Sequence, residues 1–261
     1  MKKVLKLLVA VVCILAMVAS FAGCGNNAAD NADKAVLKIG TNAEFPPFEF
    51  IDSEKGVIGE YAGIDMEIMK AVCANAGKEP VIENMDFDGL LMALLQGKVD
   101  CVISGMTITE ERLKEVDFSI PYFRTTQVMI VKKDSDIKTA LDMEGKAIGV
   151  VEGYTGQIVV RDTLGFESQA FKTGTDAIME LSNGKLDAVV LDSTTADEFI
   201  KGKEDLVAIE DIDNFGVEDY GIAIPKGNTE LLEQVNATIE QMLNDGSLDK
   251  ICEEFGVTNI A

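Results

Sequence analysis

The chain has 261 residues, 47% of them hydrophobic, and a formal net charge of −22. That length and composition suit one or two folded domains and do not resemble a disordered, collagen-like or coiled-coil chain. The negative charge argues against a nucleic-acid partner, because nucleic acid needs clustered lysine and arginine. The chain has no histidine, which excludes Ser-His-Asp and Cys-His catalysis and removes the commonest transition-metal ligand.

The N-terminal residues have the features of a secretory signal. Three lysines precede an apolar run over residues 7–19, which is short for a membrane-spanning helix. Residues 22–24 read Ala-Gly-Cys and resemble a bacterial lipobox, with Phe21 where leucine is usual. This resemblance implies that residues 1–23 are a signal peptide cleaved immediately before Cys24, and that the Cys24 thiol carries a diacylglyceryl group. The alternative is an ordinary signal peptide with an incidental cysteine.

Small and polar residues follow up to residue 35. They predict that 24–35 comprises the lipidated cysteine and a flexible tether to a folded domain. Such an anchor would hold a small binding domain near a membrane partner and raise its effective concentration there.

Three further cysteines lie in the folded part of the chain, at Cys73, Cys101 and Cys252. An odd number without a CxxC pair argues against a disulfide framework or a zinc site. Each has apolar neighbours, which predicts buried thiols, although one pair could still form a disulfide.

Strand and helix patterns alternate in the first half of the chain. Strands are predicted at 36–40, 81–83 and 99–104. A helix over 64–76 has apolar residues at four-residue spacing and a glycine stop. Asp88 and Thr109 are predicted to cap the next two helices.

The same alternation restarts after residue 146. Strands are predicted at 147–151, 170–171 and 186–191, with helices at 175–181 and from Asp192 to residue 200. A long helical stretch then forms the C-terminal part. Two series of alternating strands and helices predict two lobes, each with its own parallel sheet.

A set of motifs in fixed order runs from residue 40 to residue 256. The motifs lie at 40–50 (GTNAEFPPFEF), 87–91 (FDGLL), 97–122, 184–190 (GKLDAVV), 220–223 (YGIA) and 245–256. The longest contains SGMTITEER at 104–112 and DFSIPY at 117–122. Together they resemble the polar amino acid-binding family of ABC-transporter solute receptors.

This resemblance implies an α/β fold of the periplasmic-binding-protein type II kind, in which two lobes joined by two hinge strands hold ligand in the cleft. It puts one crossing near residues 125–127 and the return near 218–220. Lobe 1 would then comprise 36–125 plus 219–261, and lobe 2 would comprise 126–218. Closure of the lobes around ligand would be a hinge motion.

A buried free amino acid needs partners for its carboxylate and its ammonium. Arg112 has the planar fork that suits a carboxylate, and the family's arginine in this motif binds the α-carboxylate. The resemblance adds Thr107 for both groups, Gly105 for close backbone approach, and Thr155 for the carboxylate from the other lobe. Asp192 ends a buried strand, and family members use it for the ammonium. The alternatives are a solvated helix arginine, turn residues and helix caps.

Four more residues are implied in recognition of the ligand side chain. Phe45 and Phe87 match aromatic positions that hold the side chain, with ordinary core packing as the alternative. Asn42 is neutral where some relatives for basic ligands have aspartate, which favours a neutral polar ligand such as glutamine. Glu152 can restore a negative group, so a basic ligand stays open.

The resemblance implies the receptor of an amino acid ABC importer, exported and held on the outer face of the cell membrane by acylated Cys24. Its partners would be a free polar or basic L-amino acid, the membrane permease with its ATPase, and the lipid bilayer, with no cofactor, metal or nucleic acid. One alternative is a dehydratase-like cleft enzyme, for which only Glu152 stands out as an acid or base. Another is a sensor domain of a kinase or channel, which we do not expect because the chain ends soon after the family's closing motif.

Overall fold

The structure is a computed structural model that describes residues 35–258. The predicted signal peptide, Cys24 and the tether up to residue 34 lie outside these residues. Within 35–258, no helix has both the length and the apolar character needed to cross a membrane.

The first stretch of the fold alternates strands and short helices. Its elements are β1 Val36–Thr41, β2 Glu44–Phe45, β3 Glu49–Ile51, β4 Tyr61–Ala62, α1 Ile64–Ala76, β5 Glu79–Asn84, a 3₁₀ turn Phe87–Gly89, α2 Leu90–Leu95, β6 Cys101–Val102, α3 Glu110–Glu115, β7 Val116–Phe118 and β8 Phe123–Thr125. The predicted helix over 64–76 is confirmed, and Gly77 ends it in the left-handed conformation with φ 66°, which glycine adopts without steric cost.

Two of the sequence predictions for this stretch need correction. The strand predicted over 99–104 is shorter, because only Cys101–Val102 pair in the sheet. The capping role predicted for Asp88 is wrong, since Asp88 lies inside the 3₁₀ turn and no side chain caps α2. Its carboxylate instead accepts a hydrogen bond from Lys172 Nζ at 3.1 Å.

The second stretch repeats the alternation. Its elements are β9 Gln127–Lys132, a 3₁₀ turn Ala140–Met143, β10 Ile148–Val151, α4 Thr155–Ile158 continued by a π-helical turn Val159–Thr163, β11 Gln169–Phe171, α5 Gly174–Ser182, β12 Ala188–Asp192, α6 Ser193–Ile200, β13 Leu206–Glu210 and α7 Ile212–Phe215.

The chain then returns to the first stretch. The remaining elements are β14 Glu218–Tyr220, β15 Ala223–Pro225, α8 Thr229–Asp245 and α9 Ser247–Glu254. Helix α8 buries its apolar face, which includes Leu231, Val235 and Ile239, and packs against α1. The C-terminal helices therefore belong to the first stretch, which the sequence alone left undecided.

Two five-stranded sheets define two lobes. Lobe 1 contains the order β5-β1-β6-β15-β7, and lobe 2 contains β11-β10-β12-β9-β13. Pairs β1–β5, β1–β6, β10–β11 and β10–β12 are parallel, as predicted. Strand β9 pairs antiparallel with β12 in lobe 2, and strand β15 pairs antiparallel with β6 in lobe 1. Each of these strands follows a crossing between the lobes, so it enters its sheet in the opposite direction.

A two-stranded ribbon links the lobes. Strands β8 and β14 pair antiparallel, with Glu218 opposite Thr125 and Tyr220 opposite Phe123. Because β8 leaves lobe 1 and β14 returns to it, these strands form the hinge that the resemblance implies. The two-lobed α/β fold is thus confirmed.

The sheet of lobe 2 is buried at its centre. Strands β9 and β12 are buried almost throughout, as expected for strands covered on both faces. Cys73, Cys101 and Cys252 are free and buried, which confirms that they behave as small hydrophobic residues.

Candidate functional site

The loop after β6 forms the floor of the cleft between the lobes. Ser104 Oγ accepts from the backbone N–H of Asn42 at 3.0 Å and donates to Glu49 Oε1 at 2.7 Å. The Gly105 amide donates to Asp65 Oδ2 at 2.9 Å. Gly105 has φ 47°, and a Cβ there would come within 2.5 Å of the Phe45 ring. The loop therefore needs glycine at this position and rests on two buried acids.

Helix α3 carries Arg112 into the cleft. Thr109 caps the helix by accepting from the Arg112 amide at 3.2 Å, which confirms the predicted cap. The Arg112 side chain points back toward the start of the helix, as helical side chains do. Its Nη1 donates to the Thr107 carbonyl at 2.7 Å, and its Nη2 donates to the Gly153 carbonyl at 3.0 Å. Arg112 is only 7% exposed, so it is not a solvated helix arginine.

The turn before α4 supplies the groups from lobe 2. Thr155 Oγ1 donates to Thr107 Oγ1 at 2.8 Å. Tyr154 OH donates to Asn42 Oδ1 at 3.1 Å. With the contact between Arg112 and Gly153, these bonds join the two lobes directly across the cleft.

Asp192 lies where β12 ends and α6 begins. It is 4% exposed, and its side chain makes no capping bond to α6. Oδ1 instead accepts from Tyr220 OH at 2.6 Å. The carboxylate of Asp192 therefore does not cap α6, which was the alternative to a ligand-binding role.

Three aromatic rings line one side of the cleft. The Tyr154 ring lies 5.3 Å from Phe45 and 4.6 Å from Phe87, edge-on to both. The Arg112 guanidinium lies 5.4 Å from the centre of the Phe87 ring, within the range of a cation–π contact. Phe45 also belongs to the hydrophobic core, so the same ring packs in the core and lines the cleft.

The buried charges in the cleft are unequal in number. Arg112 faces two acids, Asp192 and Glu218, and Glu218 is 9% exposed. Burial raises the pKa of both carboxyls, and their mutual repulsion raises that of Glu218 further. Burial lowers the pKa of Arg112 to about 10 despite the nearby acids, so the guanidinium stays charged at neutral pH. Two acids and one base therefore share a poorly hydrated space.

Glu152 lies apart from this cluster. Its carboxylate is paired with Lys172 at 2.9 Å and its side chain is 46% exposed. The same lysine approaches Asp88 at 3.1 Å and Asp86 at 3.7 Å. Lys172 thus connects lobe 2 to the segment of lobe 1 that contains the 3₁₀ turn.

Most of the residues singled out from sequence come together around one cavity. It is lined by Phe45, Phe87, Ser104, Gly105, Thr107, Tyr154, Thr155 and Asp192. Its volume is about 10 Å³, close to that of one water molecule by the same measure. Arg112 and Asn42 reach the lining residues through hydrogen bonds. Glu152 is the one candidate that the structure leaves outside this group.

Sequence reasoning missed three residues that contact the predicted ones, namely Tyr154, Tyr220 and Glu218. Tyr154 stands in the same glycine-flanked turn as Thr155, which was a usable signal. Glu218 and Tyr220 are two apart in the hinge strand, so they share one face of it. No feature of the sequence near Glu218 predicts its contact with Thr107, which lies 111 residues earlier.

The fold and the cleft together define a class of protein. Two α/β lobes, a two-stranded hinge and charged groups facing each other in the cleft are the features of a solute-binding protein. The chain belongs to the bacterial extracellular solute-binding proteins, family 3, whose sequence model matches residues 37–258.

Individual relatives agree with this assignment. The chain is 33% identical to the arginine-binding extracellular protein ArtP of Bacillus subtilis, over 98% of each chain. Its fold is similar to the arginine-, lysine-, histidine-binding protein ArtJ of Geobacillus stearothermophilus, with 39% identity, a TM-score of 0.78 and coverage of 85% and 95%. It is also similar to an ancestral arginine-binding protein bound to glutamine, with 41% identity, a TM-score of 0.77 and coverage of 85% and 98%.

Proposed function

We propose that this protein is the amino acid receptor of an ABC importer. The observation that carries the proposal is that Arg112 and Asp192, which carry opposite charges, are both buried in one cleft between two lobes. A free amino acid presents a carboxylate and an ammonium on one carbon, so it matches two such charges. The family and the amino acid-binding relatives support the same ligand class.

In the proposed complex, Arg112 receives the α-carboxylate through its planar fork. Thr155 approaches the same carboxylate from lobe 2, and the glycine at 105 lets the ligand come close to the backbone. Asp192 takes the α-ammonium, with Thr107 beside it. Each charge of the ligand then has an opposite charge, as burial requires.

Ligand entry requires the lobes to separate. A cavity of about 10 Å³ is far smaller than an amino acid, and direct hydrogen bonds between the lobes occupy the polar groups. We propose that residues 36–125 with 219–261 move as one lobe and residues 126–218 as the other, about the β8–β14 hinge. Ligand would then shift the population from open to closed, and the permease would engage the closed form.

A basic amino acid is the first candidate for the ligand. Asp86, Asp88 and Glu152 converge on Lys172 beside Phe87, so the edge of the cleft already accommodates a side-chain cation. Phe45 and Phe87 can hold the aliphatic stem of such a ligand. Arginine is bound by ArtP and is among the ligands of ArtJ, by their names.

Glutamine is the second candidate. Asn42 is a neutral group in the cleft, held by Tyr154 and by the Met85 carbonyl, and an amide side chain suits it. The ancestral arginine-binding protein bound to glutamine shows that a related cleft accepts both ligands. We propose capture without chemistry, because the Glu152 carboxylate suggested for an enzymatic reaction is tied to Lys172.

A thermal-shift screen tests the ligand class. The purified protein is unfolded and refolded to remove carried-over ligand, then heated with each of the twenty amino acids. A ligand at a hundred times its Kd should add about 2.7 kcal/mol of stability. Arginine, lysine, histidine or glutamine should stand out, and an Asp192→Asn variant should lose the response. No response to any amino acid would overturn the proposal.

We further propose that the chain is exported and anchored by acylation of Cys24. The basic start, the apolar run and the Ala-Gly-Cys sequence support this, as does membership of an extracellular family. Cys24→Ser should release the protein from the membrane fraction, while Cys13→Ser is the matched control and should not. Retention of the Cys24→Ser protein on membranes would refute the lipid anchor.

A further inference from the structure

Glu218 occupies a particular face of the hinge strand β14. Side chains alternate along a strand, so Glu218 and Tyr220 share one face and Asp219 takes the other. Tyr220 reaches Asp192 in the cleft. Asp219 lies on the outer face, where it binds Arg124 at 2.8 and 3.2 Å. The strand therefore presents Glu218 to the cleft and keeps a second carboxylate, one residue away, outside it.

The hydrogen bonds of Glu218 fix the direction of a short chain of hydroxyl groups. Glu218 Oε2 lies 3.0 Å from Thr107 Oγ1 and accepts from Gln127 Nε2 at 3.2 Å. Oε2 also accepts from the Thr107 hydroxyl, which donates its single proton to Glu218. The free lone pairs of Thr107 Oγ1 then accept, as they do from Thr155 at 2.8 Å. Thr107 therefore offers an acceptor to the cleft.

The charges around Glu218 favour a cation at that acceptor. Arg112 from α3 and Asp192 from the end of β12 face Glu218, and Tyr220 lies on the same strand. Arg112 is the one cation among these groups, against two carboxyls whose pKa values burial raises. An incoming ammonium favours the ionised forms of these carboxyls, whereas a second anion near Glu218 would disfavour them.

We propose that Glu218 is a positioning residue for the ligand ammonium: it holds the Thr107 hydroxyl as an acceptor, so that Thr107 and Asp192 share the ammonium protons. This inference rests on the proposed amino acid ligand. Glu218 acts through its hydrogen bond with Thr107, and it makes no contact with the ligand carboxylate.

The experiment compares two ligands across two variants. Glu218→Gln removes the charge and introduces a donor that can reverse the Thr107 hydroxyl. Asp219→Asn is the matched control, one residue away on the outer face. The ligands are L-arginine and its des-amino analogue 5-guanidinopentanoate, measured by competition against labelled arginine. If arginine is not the ligand, the amino acid found in the thermal screen and its des-amino analogue take their place.

Glu218→Gln should weaken the amino acid about tenfold or more, the usual effect of losing a hydrogen bond in a charged site. It should change the des-amino analogue by no more than about twofold, since that ligand has no ammonium. Asp219→Asn should alter neither ligand. Equal losses for both ligands would overturn the inference, because a purely structural role affects them alike. An unchanged amino acid affinity would overturn it as well.

A crystal structure of the wild-type complex tests the same point without any variant. The ammonium nitrogen should lie about 3 Å from both Thr107 Oγ1 and Asp192, with Glu218 still bonded to Thr107. A complex in which Thr107 Oγ1 contacts the ligand carboxylate would overturn the inference. If the wild type bound no amino acid at all, the proposed function itself would fail, which is a separate outcome.

Discussion

Replacement of Arg112 by alanine removes the one cation that, within residues 35–258, faces Asp192 and Glu218 in the cleft. The side chain is 7% exposed, so water cannot replace the lost charge efficiently. Truncating one partner of a buried charge pair typically costs about 2–5 kcal/mol of binding free energy. The hydrogen bond from Nη2 to the Gly153 carbonyl, 3.0 Å across the cleft, is also lost. The closed form therefore becomes less favourable. The affinity for the amino acid should therefore fall roughly thirty- to several-thousand-fold.

Isothermal titration of the refolded variants measures this loss. Arg124→Ala is the matched control, because Arg124 is an exposed arginine on the outer face of the hinge and pairs with Asp219. That pair is an exposed ion pair, so its removal should alter affinity by no more than about threefold. Arg112→Lys should bind more weakly than the wild type, since lysine keeps the charge but not the two-pronged geometry.

One result would refute the reasoning about Arg112. If Arg112→Ala folds with a normal circular dichroism spectrum and binds within about threefold of the wild type, the α-carboxylate is not held by this guanidinium. Equal losses in Arg112→Ala and Arg124→Ala would point to a general effect on the hinge.

Three further predictions follow from other parts of the structure. Lys172→Met frees three carboxylates at the edge of the cleft, so arginine should bind up to several-fold tighter at low salt while glutamine does not; equal changes for both ligands would contradict this. Burial raises the pKa of Glu49 well above its usual value and that of Asp65 to about 6. These two acids therefore bind more protons in the folded protein than in the unfolded chain, and their contribution to stability falls as pH rises from about 4 upward. Glu49→Gln should show a smaller fall in melting temperature between about pH 5 and pH 8, and an unchanged slope would contradict the assignment. Gly105→Ala should lose about 1–3 kcal/mol of folding free energy from backbone strain and from the clash with Phe45, measured by urea unfolding; a neutral effect would mean that the floor of the cleft is not rigid.

Local features of this fold were predictable from the sequence. The helix over residues 64–76, its end at Gly77 and the Thr109 cap depend on neighbours within one or two turns. The predicted ligand residues came from motifs of the same local kind. The structure brings Arg112, Thr107, Thr155 and Asp192 into one cleft.

Short-range reasoning failed where a side chain had a distant partner. Asp88 was expected to cap a helix, yet its carboxylate binds Lys172, which lies 84 residues later. The role of Glu152 in recognition of the ligand side chain stays a prediction, but its ion pair with the same lysine was not foreseen. In both cases the opposing charge comes from another part of the chain, so no local pattern could reveal it.

The sequence by itself determined the class of fold, the order of the elements and the chemical types at the cleft, because periodicity, caps and motifs are properties of short segments. Only the tertiary structure decided which polar groups meet. Glu218 and Thr107 are 111 residues apart, and Tyr220 and Asp192 are 28 apart. Their contacts exist because the chain crosses between the lobes twice and the hinge ribbon sets one face of β14 toward the cleft. A buried polar group must find a hydrogen-bond partner, but the assembled sheets, and not the neighbouring residues, decide which one it finds.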